Sequence, residues 1–365
     1  MSIGRNRAAI GNCTIGRTRR QSATARLEEP GGNRQRQIVN RQSTIVNTMR
    51  LFHGTDNADI QRPTVLTLGV FDGLHLGHQL IMRTVVERAR ATHSVPTVIT
   101  FDPHPRAVLH PESSPPLLQT LDQKVEGFGV LGIEQTIVVR FTKEFSMVRA
   151  QDFLADVVHE RLHAKEVYLG KGFAFGHNRE GHIDLLRRVS GQLGFVADEV
   201  PEVRVRGRRV SSSRIRELLA HGKVNLARRM LGRPYGVEGR VVRGDERGHT
   251  LGFPTANLHP ENRVIPARGV YVTGTLIEGQ WRRSVTNIGI RPTFGRDTEP
   301  SVETFVMNWS GDLYGDVVRV RFLHRLREEK KFNSLDELKT QIARDVKLAE
   351  SYFERSGTRH MLSLL

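Results

Sequence analysis

Residues Val65, Leu66, Thr67, Leu68, Gly69, Val70 and Phe71 form an uncharged run without polar alternation, which predicts a strand buried on both faces, as in a parallel sheet. Gly73 and Gly77 then permit a tight turn, and Leu80, Ile81, Val85, Val86 and Ala89 recur with the spacing of an amphipathic helix. Apolar runs at 97–101, 136–141, 166–169 and 195–203 alternate with helical patterns, so residues from about 63 to 205 read as a doubly wound α/β sheet. A helix opens within 210–216 and runs to about 220, and a second spans 225–231 until Gly232-Arg233-Pro234 stops it at a domain boundary. Beyond that point the period changes. Short strands at 237–242, 270–276, 281–288, 302–309 and 317–322, with turn residues between them, predict an antiparallel barrel. A last helix is predicted over roughly 334–353, with apolar Leu335, Leu338, Ile342, Val346 and Leu348. The expected organisation is a leader (1–48), an α/β domain (49–232), a barrel domain with a C-terminal helix (233–355) and a tail (356–365).

Composition changes this picture little. The 365 residues, 38% hydrophobic and 26% charged, suffice for two domains with real cores. No apolar run approaches the roughly 20 residues of a membrane helix, which argues against a membrane partner. The single cysteine, Cys13, excludes an internal disulfide framework and fits a reducing cytoplasm. The formal charge of +16 raises a nucleic-acid reading, but residues 1–48 hold nine Arg against two Glu, and elsewhere only 203–209 forms a dense basic cluster. Steering of phosphorylated small molecules explains such a balance equally well. The leader lacks periodicity and is expected to be disordered. Of three readings for it, an organelle transit peptide, a basic tail, or upstream sequence from too early a start codon, the last is preferred.

The chemistry concentrates where strands end. In Gly69-Val-Phe-Asp-Gly-Leu-His-Leu-Gly-His78, His75 and His78 sit at a strand-to-helix turn, on one face of the helix start, where both can donate to phosphate oxygens. Asp102-Pro-His-Pro-Arg106 follows the second strand and by its two prolines reads as a rigid turn. Ser211, Ser212, Ser213, Arg214 and Arg216 place hydroxyls and guanidinium groups at a helix start, either as a plain N-cap or as a clamp on pyrophosphate. On the strand at 302–309, alternation aligns Glu303 with Phe305, Met307 and Trp309, so the carboxylate is either used as a base or points to water from an edge.

These strings resemble a known family. The first resembles the HxGH nucleotidyltransferases and, with Gly69, Phe71, Asp72, Gly73 and Gly77 in place, is similar to the signature of the bacterial bifunctional riboflavin kinase/FAD synthetases. The string Asp102 to Arg106 follows the second strand in that family too, and only this resemblance implies a role near a nucleotide or flavin, with Asp102 and His104 as contacts. Ser211 to Arg216 resembles that family's Ser-Ser-Thr-x-x-Arg signature, with Ser213 in place of threonine. Gly252, Pro254, Thr255 and Asn257, within Leu-Gly-Phe-Pro-Thr-Ala-Asn-Leu, resemble the flavokinase signature, which implies Thr255 and Asn257 as holders of Mg2+ and ATP phosphates. Val302-Glu-Thr304 resembles the family's Val-Glu-Thr, which implies Glu303 as the base for the riboflavin 5′-hydroxyl, and Asn287 and Arg291 lie in a further loop of that module. Gly170-Lys-Gly-Phe-Ala-Phe-Gly176 departs from the usual Gly-x-Asp/Asn-Phe at Gly172, and His182 replaces the usual aspartate.

The resemblance implies a cytoplasmic enzyme that takes ATP, riboflavin and FMN, uses Mg2+, and makes FMN in the barrel and FAD in the α/β domain. The sequence carries no signal for an oligomeric state. Two alternatives stay open: a riboflavin kinase with a degenerate adenylyltransferase domain, and a nucleic-acid-binding protein on a nucleotidyltransferase fold.

Overall fold

The computed structural model describes residues 49–55, 60–244, 253–291 and 299–355, all within one compact unit, 35–365. The N-terminal part is a six-stranded sheet of order β1-β4-β3-β2-β5-β6, with every pairing parallel. Its strands are β1 (Arg50–His53), β2 (Thr64–Leu68), β3 (Val95–Asp102), β4 (Gln135–Arg140), β5 (Ala164–Gly170) and β6 (Val196–Val200). β2 is buried at all five positions, as its uncharged run requires. The strand order reverses between β2 and β5, so the crevice beyond their carboxyl ends is the place for a ligand. β1 is absent from the sequence pattern, because a four-residue edge strand carries too little alternation to be read.

Helix α1 (Leu76–Ala91) starts at the loop after β2, and α2 (Pro105–Leu109), α3 (Leu121–Val130), α4 (Ala150–Asp152, continued as a π-helix over Phe153–Arg161) and α5 (Ile183–Leu193) complete the layers. The basic cluster folds as a hairpin of β7 (Arg204–Val205) and β8 (Arg208–Arg209), with Arg206 and Gly207 both at positive φ in its two-residue turn. Then come α6 (Ser212–Ala220) and α7 (Val224–Leu231), close to the expected bounds.

The second part is a closed antiparallel barrel of order β10-β13-β12-β11-β14-β9. It has six strands, β9 (Tyr235–Val242), β10 (Thr255–Pro260), β11 (Gly269–Ile277), β12 (Gln280–Arg291), β13 (Glu299–Val306) and β14 (Val317–Arg327), where the pattern predicts five. The sixth is β10, in a segment whose glycines suggest a loop; it pairs with both β9 and β13 and closes the barrel. β13 also ends earlier than expected. Asn308 takes φ 53°, so Met307 and Trp309 leave the strand, and of the three residues expected on the face of Glu303, Phe305 alone stays on it.

The C-terminal helix α8 (Leu335–Arg355) packs through Asp345, Ala349 and Phe353, whereas Leu335 and Leu348 are 66% and 55% exposed. Leu338, Ile342 and Val346 lie on this face as expected and Leu335 and Leu348 do not; the buried Asp345 carboxylate on it is held by Arg327 through three bonds of 2.8–3.1 Å. One apolar cluster runs from Ile215, Leu219, Ala227 and Leu231 of α6 and α7 to Val237, Leu258, Val302 and Phe322 of the barrel.

Candidate active sites

The loop after β2 is built on left-handed backbone, with Phe71, Gly73 and Leu74 at φ 53°, 85° and 41°. Asp72, 3% exposed, anchors it from below. Its carboxylate accepts from the Leu118 and Gln119 amides at 2.9–3.2 Å and from Arg216 at 2.5 Å. His75 is the N-cap of α1: its Nδ1 accepts from the His78 amide at 3.3 Å, which leaves the ring proton on Nε2. The two imidazoles stack, with centroids 3.6 Å apart and planes 18° from parallel, and Phe71 meets His78 edge-on at 5.3 Å. A Cβ on Gly69 would lie 2.9 Å from the Phe71 ring and force a shift, and one on Gly77 would press on His75 at 3.2 Å.

Burial, reinforced by the positive charges of Arg233 and Arg209, pulls His75 down to about 4. His78 is lowered well below 6.5 by burial, then by His75, Arg233 and Lys124. Both rings are therefore neutral near pH 7, each with one N–H to offer. Among the described residues the buried His78 Nδ1 has no hydrogen-bond partner.

A cavity of about 420 Å³ opens above this loop. It brings together Gly69, Phe71, Asp72, His75, Gly77 and His78 from the first motif, His104 from the second, and Ser211, Ser212, Ser213 and Arg216 from the third. Gly73, Asp102 and Arg214 do not line it. Gly73 lies against Leu118, Asp102 ends β3, and Arg214 pairs with Glu217. Several of these residues are occupied in holding the fold. Arg216 donates to Asp72 and to the Pro116 carbonyl at 2.7 Å, Ser211 caps α6, and the Ser212 hydroxyl donates to the Asp72 carbonyl at 2.8 Å. His104 Nδ1 caps the short α2. Arg106, Lys171 and Arg209 also line the cavity; none of them is among the predicted site residues, although Lys171 lies in the 170–176 string and Arg209 in the basic cluster. Gly172 takes φ +74° with open space where a Cβ would stand, and its amide donates to Glu199.

In the barrel, Asn257, Glu303 and Asn287 occupy one row across β10, β13 and β12, paired Cα to Cα. Asn257 is 9% exposed and packs so closely on Gly244 that a Cβ there would lie 2.2 Å from Asn257 Nδ2. A cavity of about 670 Å³ is lined by Pro254, Thr255 and Asn257 together with Thr304, Trp309 and the 312–314 turn. Glu303 and Asn287 lie along the same row but outside this lining. Gly252 and the side chain of Arg291 lie outside the described residues. Thr255 and Asn257 offer neutral oxygens that suit Mg2+ held chiefly by substrate phosphates, and among the described residues no cluster of three or more His, Cys, Asp or Glu side chains could bind a metal unaided.

Two family models match the chain, one described as FAD synthetase over residues 57–214 and one as riboflavin kinase over 231–353. The protein named bifunctional riboflavin kinase/FMN adenylyltransferase of Haemophilus influenzae is 35% identical over 307 residues, 84% of this chain and 99% of its own length. Its Escherichia coli K12 namesake is 36% identical over 308 residues, covering 84% and 98% of the two chains. A crystal structure titled macrolide-efflux protein from Streptococcus pneumoniae superposes with TM-score 0.75 at 29% identity, covering 82% of this chain and 98% of that one.

Proposed function

The chain belongs to the bifunctional riboflavin kinase/FMN adenylyltransferase family, and from that premise we propose how its two sites divide the work. The protein phosphorylates riboflavin to FMN with ATP and adenylylates FMN to FAD with release of pyrophosphate. The cavity beyond β2 and β5 is the adenylyltransferase site. The observation that carries this is the convergence of three separate motifs on one cavity around two neutral, stacked imidazoles.

The FMN phosphate attacks the α-phosphorus of ATP, and the bond to pyrophosphate breaks. The attacking group is already ionised, so no covalent enzyme intermediate is needed and catalysis reduces to positioning and charge stabilisation. His75 Nε2–H and the N–H of His78 donate to the α-phosphate oxygens as charge builds there. Arg106, Lys171 and Arg209 supply the positive field for the leaving pyrophosphate. Asp72 and Arg216 act one step back, by fixing the loop that carries the histidines.

The cavity at Thr255 and Asn257 takes ATP, with Mg2+ supplying charge neutralisation at its phosphates. Glu303, in the same row as Asn257, accepts the proton of the riboflavin 5′-hydroxyl. Residues 203–209 fold as a hairpin that brings Arg209 to the lining of the adenylyltransferase cavity, a placement of charge that favours the enzyme over a nucleic-acid binder. Among the described residues no helix is long and apolar enough to cross a membrane, and we place the enzyme in the cytoplasm. Incubation with riboflavin, ATP and Mg2+, followed by chromatography of FMN and FAD, tests both activities. FMN without pyrophosphate release from supplied FMN and ATP would favour the kinase-only alternative.

A further inference from the structure

The two carbonyls that precede His75 accept hydrogen bonds from side chains. Arg233 Nη2 donates to Gly73 O and Arg233 Nη1 to Leu74 O, both at 3.0 Å. Gln79 Nε2 donates to Leu74 O at 2.8 Å and to Leu231 O, at the end of α7, at 2.7 Å. Arg233 does not come from the sheet domain proper. It follows Gly232, the left-handed cap of α7, and precedes β9, so it belongs to the junction with the barrel. A left-handed Phe, Gly and Leu within four residues persist only where the surroundings over-determine them. Asp72 secures the floor of the turn and Arg233 secures its outer peptides.

We infer that Arg233 is a positioning residue for adenylyl transfer: from the junction with the barrel its guanidinium fixes the Gly73 and Leu74 peptides and thereby sets where His75 and His78 face the reacting phosphate. The planar fork of arginine matches two adjacent carbonyls, whereas a lysine ammonium offers a single point of donation. Arg233 does not line the 420 Å³ cavity; it lines a separate one of about 70 Å³, between the turn and the barrel, with Glu126 and Arg319. Its action on the substrate is therefore indirect. Its charge adds to burial in keeping both imidazoles neutral, so geometry and protonation state depend on the same side chain.

This inference rests on the adenylyltransferase reading of the cavity, and the experiment separates the two. Full-length wild type, Arg233→Ala and Arg233→Lys are assayed for pyrophosphate release from FMN plus ATP and, in the same preparations, for FMN formation from riboflavin. A displacement of the turn by about 1 Å predicts a loss of kcat for adenylyl transfer on the order of 100-fold in Arg233→Ala, with KM for FMN and ATP little changed. Riboflavin phosphorylation stays near wild type, and added guanidinium ion restores part of the lost activity in Arg233→Ala but none in wild type. Unchanged kcat, or a parallel loss of both activities without guanidinium rescue, overturns the positioning role. Should Arg233→Ala fail to fold, Arg233→Lys decides: it keeps the charge but not the fork, and full adenylyl transfer in it overturns the inference. Wild type without pyrophosphate release overturns the reading of the cavity itself.

Discussion

His75 and His78 show how burial can turn a titrating side chain into a fixed donor. With His75 lowered to about 4, this ring is expected to impose no step near 6.5 on the pH profile of adenylyl transfer, and any loss there belongs to the FMN phosphate, whose second proton binds at about pH 6. The linkage has a definite sign. The unfolded histidine binds its proton near 6.5 and the folded one near 4, so stability is lost as pH falls between those values and no further below them, by on the order of 3 kcal/mol in total. His75→Asn keeps a capping acceptor at the start of α1 and removes the ionisable ring. Urea melts of this variant should show a smaller loss of stability between about pH 7 and about pH 5 than wild type shows. Replacing both histidines with Ala should cost adenylyl transfer about 100- to 1000-fold per strong donor while riboflavin phosphorylation survives. Much of this site was legible, because a strand, two glycines and two histidines within ten residues constrain one another. What the sequence could not show was division of labour. Asp72 and Arg216 look like ligand contacts until their bond to each other is seen, and Lys171 and Arg209 stand in segments the sequence singles out without showing that folding brings these two side chains to the cavity.

Among the elements, α1, α6, α7 and the C-terminal helix were legible, whereas β10, like β1, was hidden. Its Thr255, Ala256, Asn257 and Leu258 alternate over too few apolar positions to register as a strand, and only pairing with β9 and β13 reveals one. The consequence for function is the row Asn257–Glu303–Asn287, three motif residues far apart in sequence that one register sets side by side. Gly244→Ala tests that row without touching it. A Cβ 2.2 Å from Asn257 Nδ2 must displace the amide, so kinase activity should fall at least about tenfold, while pyrophosphate release from FMN and ATP stays unchanged. Glu303→Gln should abolish FMN formation and leave FAD formation from supplied FMN; undiminished kinase turnover would refute the base assignment. Inside the barrel, the hydroxyls of Thr275, Ser284, Thr273, Thr286 and Thr304 form a buried chain with 2.8–2.9 Å spacings. Thr286→Val preserves shape but cuts Thr304 off from the chain, while Thr273 keeps Ser284, and a loss of about 1–3 kcal/mol in urea unfolding is expected for the hydroxyl left unsatisfied.

For the whole molecule, the boundary at Gly232-Arg233-Pro234 was legible as a stop signal, but periodicity finds an apolar face without saying what covers it. The faces of α6 and α7 join the interior of the barrel in one cluster, so these helices bind the two parts as much as they end the first. Polar contacts continue the seam. Asn262, 4% exposed in the barrel, exchanges amide bonds of 2.8 and 3.1 Å with Gln123, donates to Leu118 O at 3.1 Å and accepts from the Glu238 amide at 2.9 Å. Arg319 bridges Glu126 and Glu238, which hold its guanidinium more firmly protonated than usual against the opposing effect of burial. A shared core and a satisfied buried seam predict that the parts unfold together, although chains of this size often unfold in steps. Both tryptophans, Trp281 and Trp309, lie in the barrel part, so their emission reports that part, whereas far-UV ellipticity is dominated by the helices of the sheet domain. In wild type the two signals should give coincident urea transitions. Asn262→Ala strands the Gln123 side-chain nitrogen and the Glu238 amide, while the Leu118 carbonyl keeps the Tyr235 hydroxyl, at a cost of about 2–3 kcal/mol placed at the seam. In that variant the transitions should separate, with ellipticity lost first, because the barrel is closed on itself by its own strands while the open sheet relies on the seam for cover. Separate transitions already in wild type would show that the seam does not couple the two parts.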